Sequence, residues 1–179
     1  MPQENVPKTR SKLDTLANAA IILVAIVALI VLIPKAYEVI HPHPSPFEER
    51  AAKPGERIPA LKAMVPAGAD RALVIAVSPL CHFCNESMPF YKQLVDRRNQ
   101  SGSGVKVIAA VPNAQAREDE LKTFQAGGVV PDGVVPADFN SIKVPGTPTL
   151  MLVDRDGRVL GVWVGKLEES RQQDVLKRI

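Results

Sequence analysis

The hydrophobic pattern of the chain begins with one long apolar segment near the N-terminus. Residues 16–33 carry no charge, whereas the polar residues 1–15 include the basic Lys8, Arg10 and Lys12. As a helix, these apolar residues would rise about 27 Å, close to the roughly 30 Å core of a bilayer. We therefore predict a transmembrane signal anchor over residues 16–36, preceded by a cytoplasmic segment, residues 1–15.

A cleaved signal peptide is the alternative for this segment. However, the apolar run is longer than a typical signal core, and Pro34 and Lys35 follow it instead of a small-residue cleavage site. The basic flank is expected to stay in the cytoplasm. We therefore predict a single-pass protein of the bacterial cytoplasmic membrane. Its C-terminal part would lie outside, in a periplasm or cell-wall space, where disulfides persist.

A proline-rich segment follows the anchor. We interpret residues 37–57 as a linker, because alternating prolines stiffen a chain into an extended spacer. His41 and His43 lie in this segment and are expected to be solvated spacer residues more than metal ligands. The folded domain is then predicted over residues 58–179.

Within this domain, short apolar runs alternate with amphipathic segments bounded by turn residues. Buried strands are predicted at 73–77 and 105–111, and helices at 85–99, with a kink at Pro89, and at 114–126. The remaining predictions are a short strand at 134–135, a hairpin of strands 149–153 and 158–164, and a closing helix at 167–179. This order predicts an α/β fold, with a mixed central sheet flanked by helices.

The residues that carry chemistry lie between the first strand and the first helix. Cys81, His82, Phe83 and Cys84 are consecutive, and the chain has no other cysteine. A helix start favours a thiolate on Cys81, and Cys84 lies one turn on, within reach for a disulfide. This setting favours a redox-active pair. A structural disulfide, half of a zinc site and two inert thiols are the alternatives.

The composition narrows the function classes. The chain is 46% hydrophobic and 23% charged, which is typical of a globular protein. A net charge of +3 is too small to indicate nucleic-acid binding. The sequence contains no glycine-rich phosphate loop and no recognisable metalloprotease or hydrolase motif. We expect no cofactor and no bound metal.

These elements together resemble the thioredoxin fold. Over about residues 54–179 they are similar to its membrane-anchored branch, the TlpA/ResA-like thiol-disulfide oxidoreductases. Cys81 and Cys84 match the redox motif of that family, and Pro89 matches its helix-kinking proline. Residues 144–154 match the segment that carries the cis-proline of the family. The resemblance therefore implies that the Thr147–Pro148 bond is cis and faces the cysteines.

The chain also departs from the pattern of this family. Leu80 stands where an aromatic residue often precedes the first cysteine. Ile75 stands where thioredoxins carry a buried acid, so deprotonation of Cys84 requires another base or water.

Roles for the site residues follow from the motif and the resemblance. Cys81 is expected to be the nucleophile and Cys84 the resolving cysteine. His82 would stabilise the thiolate when protonated or would only tune the turn, and Phe83 would form a docking surface or pack. Thr147 and Pro148 would present backbone groups to a partner chain.

The predicted function is that of a membrane-tethered, extracytoplasmic thiol-disulfide oxidoreductase, with the reducing direction favoured. Its substrates would be protein thiols or disulfides, and a separate membrane or soluble redox partner would exchange electrons with it. Three alternatives remain at this point. They are a copper or other metal chaperone of thioredoxin fold, a peroxiredoxin-like peroxidase, and a tethered interaction domain with inactive cysteines.

Overall fold

The computed structural model describes residues 12–40 and 46–179, and the chain divides into two units. The first unit contains helix α1 (Lys12–Ile40), of which Thr15–Tyr37 is long and apolar enough to cross a membrane by length and composition. A signal sequence would pass the same test. A helix over the predicted residues 16–36 is thus confirmed. Residues 1–11 and 41–45, with His41 and His43, lie outside the described residues.

The second unit is built on one five-stranded sheet. Its strands are β1 (Arg71–Ala76), β2 (Lys106–Val111), β3 (Gly133–Pro136), β4 (Thr149–Asp154) and β5 (Val159–Val164). The order across the sheet is β3-β2-β1-β4-β5. Strands β1, β2 and β3 are parallel, whereas β4 is antiparallel to both β1 and β5. The prediction of a mixed sheet is therefore confirmed.

Strand β1 is central because its apolar side chains are buried on both faces. Leu73 and Ile75 belong to one core cluster, and Ala72, Val74 and Ala76 belong to the other. A strand that is covered on both faces has a continuous run of apolar residues instead of alternating apolar and polar residues.

Helices cover the two faces of this sheet. They are α2 (Pro46–Arg50), α3 (Pro59–Lys62), α4 (His82–Glu86), α5 (Met88–Ser101), α6 (Ala114–Ala126) and α7 (Glu169–Arg178). The start of α6 is fixed by Asn113, whose side chain accepts a hydrogen bond of 2.8 Å from the N–H of Ala116. With the strands, these helices confirm most of the predicted elements within two residues at each end.

The helix predicted at residues 85–99 differs from the structure. It begins earlier, at His82, and it is broken into α4 and α5 at Ser87. Pro89 lacks an N–H, and its ring would clash with the carbonyl of Asn85 in a continuous helix. Instead, Pro89 occupies the first turn of α5, where its N–H is not needed. The hydroxyl of Ser87 donates to the carbonyl of Phe83 at 2.7 Å, which stabilises the break.

The predicted start of the domain at residue 58 also differs from the structure. The second compact unit includes described residues before position 58, and Ala51 and Ala52 are buried in it. The N–H of Gly55 donates to the carbonyl of Val159 at 2.7 Å, and the N–H of Val159 donates to the carbonyl of Glu56 at 2.8 Å. Residues 46–57 are therefore part of the domain, because Ala51 and Ala52 are buried and Gly55 and Glu56 pair with the open edge of β5.

The core contains one acidic side chain without a protein partner. Glu120 on α6 is 1% exposed, and within the described part of the chain neither of its carboxylate oxygens has a hydrogen-bond partner. One turn along the same helix, the ring of Phe124 packs edge-on against that of Tyr91, at a centroid distance of 6.4 Å. Burial raises the pKa of Glu120, because the charged form loses its hydration.

We expect Glu120→Gln to remove a pH-dependent loss of stability. As pH rises above about 4.3, the unfolded state releases this proton while the folded state retains it, so the wild-type free energy of unfolding falls. The loss should be at most about 1.4 kcal/mol per pH unit and should be absent in the variant. Urea unfolding of residues 44–179 between pH 4 and pH 8 would measure it.

Glu118→Gln is the matched control, because Glu118 lies on the same helix and is exposed. Parallel curves for the wild type and Glu120→Gln across this pH range would contradict the expectation.

Candidate active site

The two cysteines form a disulfide at the beginning of α4. The Cα atoms of Cys81 and Cys84 are 5.2 Å apart. Cys81 is the N-cap residue, and its sulfur accepts a hydrogen bond of 3.1 Å from the N–H of Cys84. The same N–H is placed to donate to a thiolate on Cys81 after reduction, and a hydrogen bond to a charged acceptor is the stronger kind.

The two sulfur-bearing residues differ in burial. Cys81 is 9% exposed, whereas Cys84 is completely buried. Ile75 lies in the same core cluster as Cys84, and it is also buried. The core cluster that contains Cys84 therefore has an apolar side chain at the position where thioredoxins carry an acid.

The sheet places the cysteine motif beside the loop before β4. Ala76, the last residue of β1, pairs with Thr149, the first residue of β4. The chain leaves the sheet after Val77, whose N–H donates to the carbonyl of Ala110 at 2.9 Å. A turn follows, in which the N–H of Cys81 donates to the carbonyl of Ser78 at 2.9 Å.

The loop before β4 contains a cis peptide bond between Thr147 and Pro148, as predicted. The hydroxyl of Thr149 donates to the carbonyl of Gly146 at 2.7 Å, which holds the loop at the start of the strand. The carbonyl of Pro148 accepts a hydrogen bond of 2.8 Å from the N–H of Gly165. The loop is thus attached to the end of β5 as well as to β4.

An ionic cluster borders the site. On α4, Nε2 of His82 lies 3.1 Å from Oε1 of Glu86. The ammonium of Lys166 donates to Oε2 of the same carboxylate at 2.8 Å. The hydrogen bond from Lys166 is the main cause that lowers the pKa of Glu86.

Neither Glu86 nor Lys166 was predicted from the sequence to belong to the site. The spacing of His82 and Glu86, four residues apart on a helix, was a usable signal for their contact. Lys166 is 80 residues from Glu86 along the chain, so only the fold brings them together.

Apolar side chains next to the disulfide are exposed to solvent. Leu80 is 97% exposed and Phe83 is 55% exposed. The half-exposed ring of Phe47 lies beside Gly146, in the loop of the cis-proline. Exposed apolar groups that cluster around a reactive atom are typical of an interaction surface.

A metal-chaperone alternative requires a cluster of ligands around the two cysteines. Across residues 12–40 and 46–179, no group of three or more His, Cys, Asp and Glu side chains could hold a metal ion.

Comparison with known proteins gives similarities among solved structures only. No family model matches the chain, and no curated protein matches it. StoA from Bacillus subtilis is 14% identical with a TM-score of 0.49, over 62% of this chain and 84% of that one. A thiol-disulfide isomerase from Corynebacterium glutamicum is 22% identical with a TM-score of 0.47, over 62% and 80%.

A secreted disulfide oxidoreductase from Mycobacterium tuberculosis is also similar, at 13% identity and a TM-score of 0.48, over 62% of this chain and 82% of that one. The strand order, the disulfide at the start of α4 and the cis-proline before β4 are those of a thioredoxin-like domain. Its site is of the kind that thiol-disulfide oxidoreductases use.

After reduction, we expect Cys81 to react with alkylating agents well before Cys84. The sulfur of a completely buried residue is inaccessible to the reagent, and the thiolate is favoured at Cys81. Iodoacetamide at pH 7, followed by peptide mass spectrometry, would show modification of Cys81 at least about tenfold faster.

The same reaction in urea is the control, because both cysteines should then react at similar rates. Equal rates in the folded protein, or faster modification of Cys84, would contradict the expected difference.

Proposed function

We propose that this protein is a thiol-disulfide oxidoreductase that exchanges disulfides with protein substrates through Cys81 and Cys84. The observation that carries the proposal is the disulfide at the start of α4, in which Cys81 is 9% exposed and Cys84 is completely buried. A structural disulfide that closes so small a loop would stabilise the fold little. A catalytic role accounts better for this position.

In the reducing direction, the Cys81 thiolate attacks a substrate disulfide. The substrate S–S bond breaks, one substrate sulfur leaves as a thiolate and takes a proton, and a mixed disulfide joins the substrate to Cys81. Cys84 then loses its proton and attacks the Cys81 sulfur, which releases the second substrate sulfur. The substrate gains two electrons, and the Cys81–Cys84 disulfide is formed again. A separate dithiol redox partner would then reduce this disulfide.

The neighbouring residues have supporting roles in this proposal. The exposed Phe83 would contact apolar groups of the substrate, and His82 would favour the Cys81 thiolate when protonated. Thr147 and Pro148 would present the backbone of their loop to the substrate chain. The attachment of this loop to β4 and β5 supports such a role, because it fixes the position of the backbone groups.

We further propose that the domain is tethered to the outer face of the bacterial cytoplasmic membrane by α1. The length and composition of the apolar segment Thr15–Tyr37 support a single span. The basic residues before it support an orientation with the domain outside. The reducing direction is proposed from the resemblance to TlpA/ResA-like proteins.

We expect Cys84→Ser to accumulate the mixed disulfide and Cys81→Ser to abolish exchange. Without Cys84, no internal thiol attacks the bond between Cys81 and the substrate, so the adduct persists. The reduced variants would be incubated with an oxidised protein substrate and separated by non-reducing electrophoresis. Cys84→Ser should show an adduct that dithiothreitol cleaves.

The double variant Cys81→Ser/Cys84→Ser is the control and should form no adduct. Full turnover by Cys84→Ser would overturn the assignment of Cys84 as the resolving cysteine.

The reduction potential tests the direction of electron flow. Equilibration in thiol–disulfide buffers, followed by an alkylation gel shift, would report the reduced fraction of the Cys81–Cys84 pair. We expect a midpoint near −270 mV, about that of thioredoxin, if the protein is a reductant. A midpoint near about −120 mV would contradict the reducing direction, because that value is typical of a disulfide donor.

A further inference from the structure

Glu86 contacts two basic side chains that lie on different elements. Its carboxylate oxygens are 3.1 Å from Nε2 of His82, on the same helix, and 2.8 Å from Nζ of Lys166, after β5. The side chain of Glu86 is 37% exposed, and that of Lys166 is 49% exposed. The carboxylate thus offers one negative charge to two groups that are positive when protonated.

Both basic residues belong to segments that join the redox centre. His82 directly follows Cys81 and is the first residue of α4. Lys166 directly follows Gly165, whose N–H donates to the carbonyl of Pro148 in the cis-proline loop. Glu86 therefore links the helix that carries the cysteines to the segment that holds this loop.

We propose that Glu86 is a positioning residue that neutralises Lys166 and His82 and so keeps the disulfide at a low reduction potential. This inference rests on the proposed function. Positive charge near Cys81 would favour its thiolate, and a stabilised thiolate favours the reduced form of the pair. A pair whose reduced form is stabilised is a stronger oxidant.

The redox balance shows how the charge acts. Reduction of the Cys81–Cys84 disulfide takes two electrons, which come from a dithiol redox partner or, in the assay below, from glutathione. It takes two protons when both sulfurs become thiols, and only one when Cys81 remains a thiolate. Uncompensated positive charge would stabilise the Cys81 thiolate and therefore favour reduction of the disulfide. The negative charge of Glu86 opposes this effect.

The test uses the full chain in mild detergent, equilibrated in glutathione buffers at pH 7. We expect Glu86→Gln to raise the equilibrium constant for reduction of the disulfide about threefold, because the energy involved is that of an exposed ion pair. A threefold change equals a rise of about 14 mV in the midpoint of a two-electron couple. The pH at which alkylation of Cys81 is half-maximal should fall as well. Lys166→Met should shift both measurements in the opposite direction, because Glu86 then keeps an excess negative charge.

The double variant Glu86→Gln/Lys166→Met separates electrostatics from structure. It should return toward the wild-type midpoint, because both opposing charges are removed. At about 1 M salt, where the Debye length is about 3 Å, the difference between Glu86→Gln and the wild type should shrink. Glu118→Gln, which removes an exposed carboxylate on α6, is the matched control and should leave the midpoint unchanged.

The role of Glu86 would be overturned if the reduction midpoint of Glu86→Gln equals that of Glu118→Gln or lies below that of the wild type. The proposed function would not be affected by that result. A wild-type protein with no two-electron transition would overturn the proposed function and with it the role of Glu86. The two failures are therefore distinguishable in one experiment.

Discussion

The site depends on the antiparallel pairing of β1 with β4. Because Ala76 lies opposite Thr149, the end of one strand and the beginning of the other meet at the same edge of the sheet. The turn that carries the cysteines follows β1, and the loop that carries the cis-proline precedes β4. A shift of one residue in this pairing would move buried side chains to the opposite face, so the core fixes the register.

The break between α4 and α5 is the second constraint on the site. Pro89 prevents one continuous helix, and Ser87 closes the first segment with its own hydrogen bonds. The cysteine turn is therefore followed by a short helix of its own, from His82 to Glu86. This short helix presents His82 and Glu86 to solvent while Cys84 remains buried in the core.

The segment before the sheet contributes more to the domain than a spacer would. Gly55 and Glu56 pair with the edge of β5, and the N–H of Ala52 donates to the carbonyl of Lys143. Glu48 forms an ion pair of 3.1 Å with Arg171. Phe47 then lies beside Gly146 in the cis-proline loop. The proline content of this region predicted an extended chain. The sequence of this region gave no indication that it would pair with β5, because that pairing depends on residues about 100 positions away.

Local sequence patterns were sufficient to predict the strands, most of the helices and the identity of the redox pair. These features are local, because a continuous apolar run or a pair of cysteines three residues apart can be recognised without knowing the partners. The contact of Lys166 with Glu86, the packing of residues 46–57 and the burial of Glu120 became visible only in the folded domain. Each of these depends on which distant segments meet, because charge pairing and desolvation arise from neighbours in space and not from neighbours in the chain.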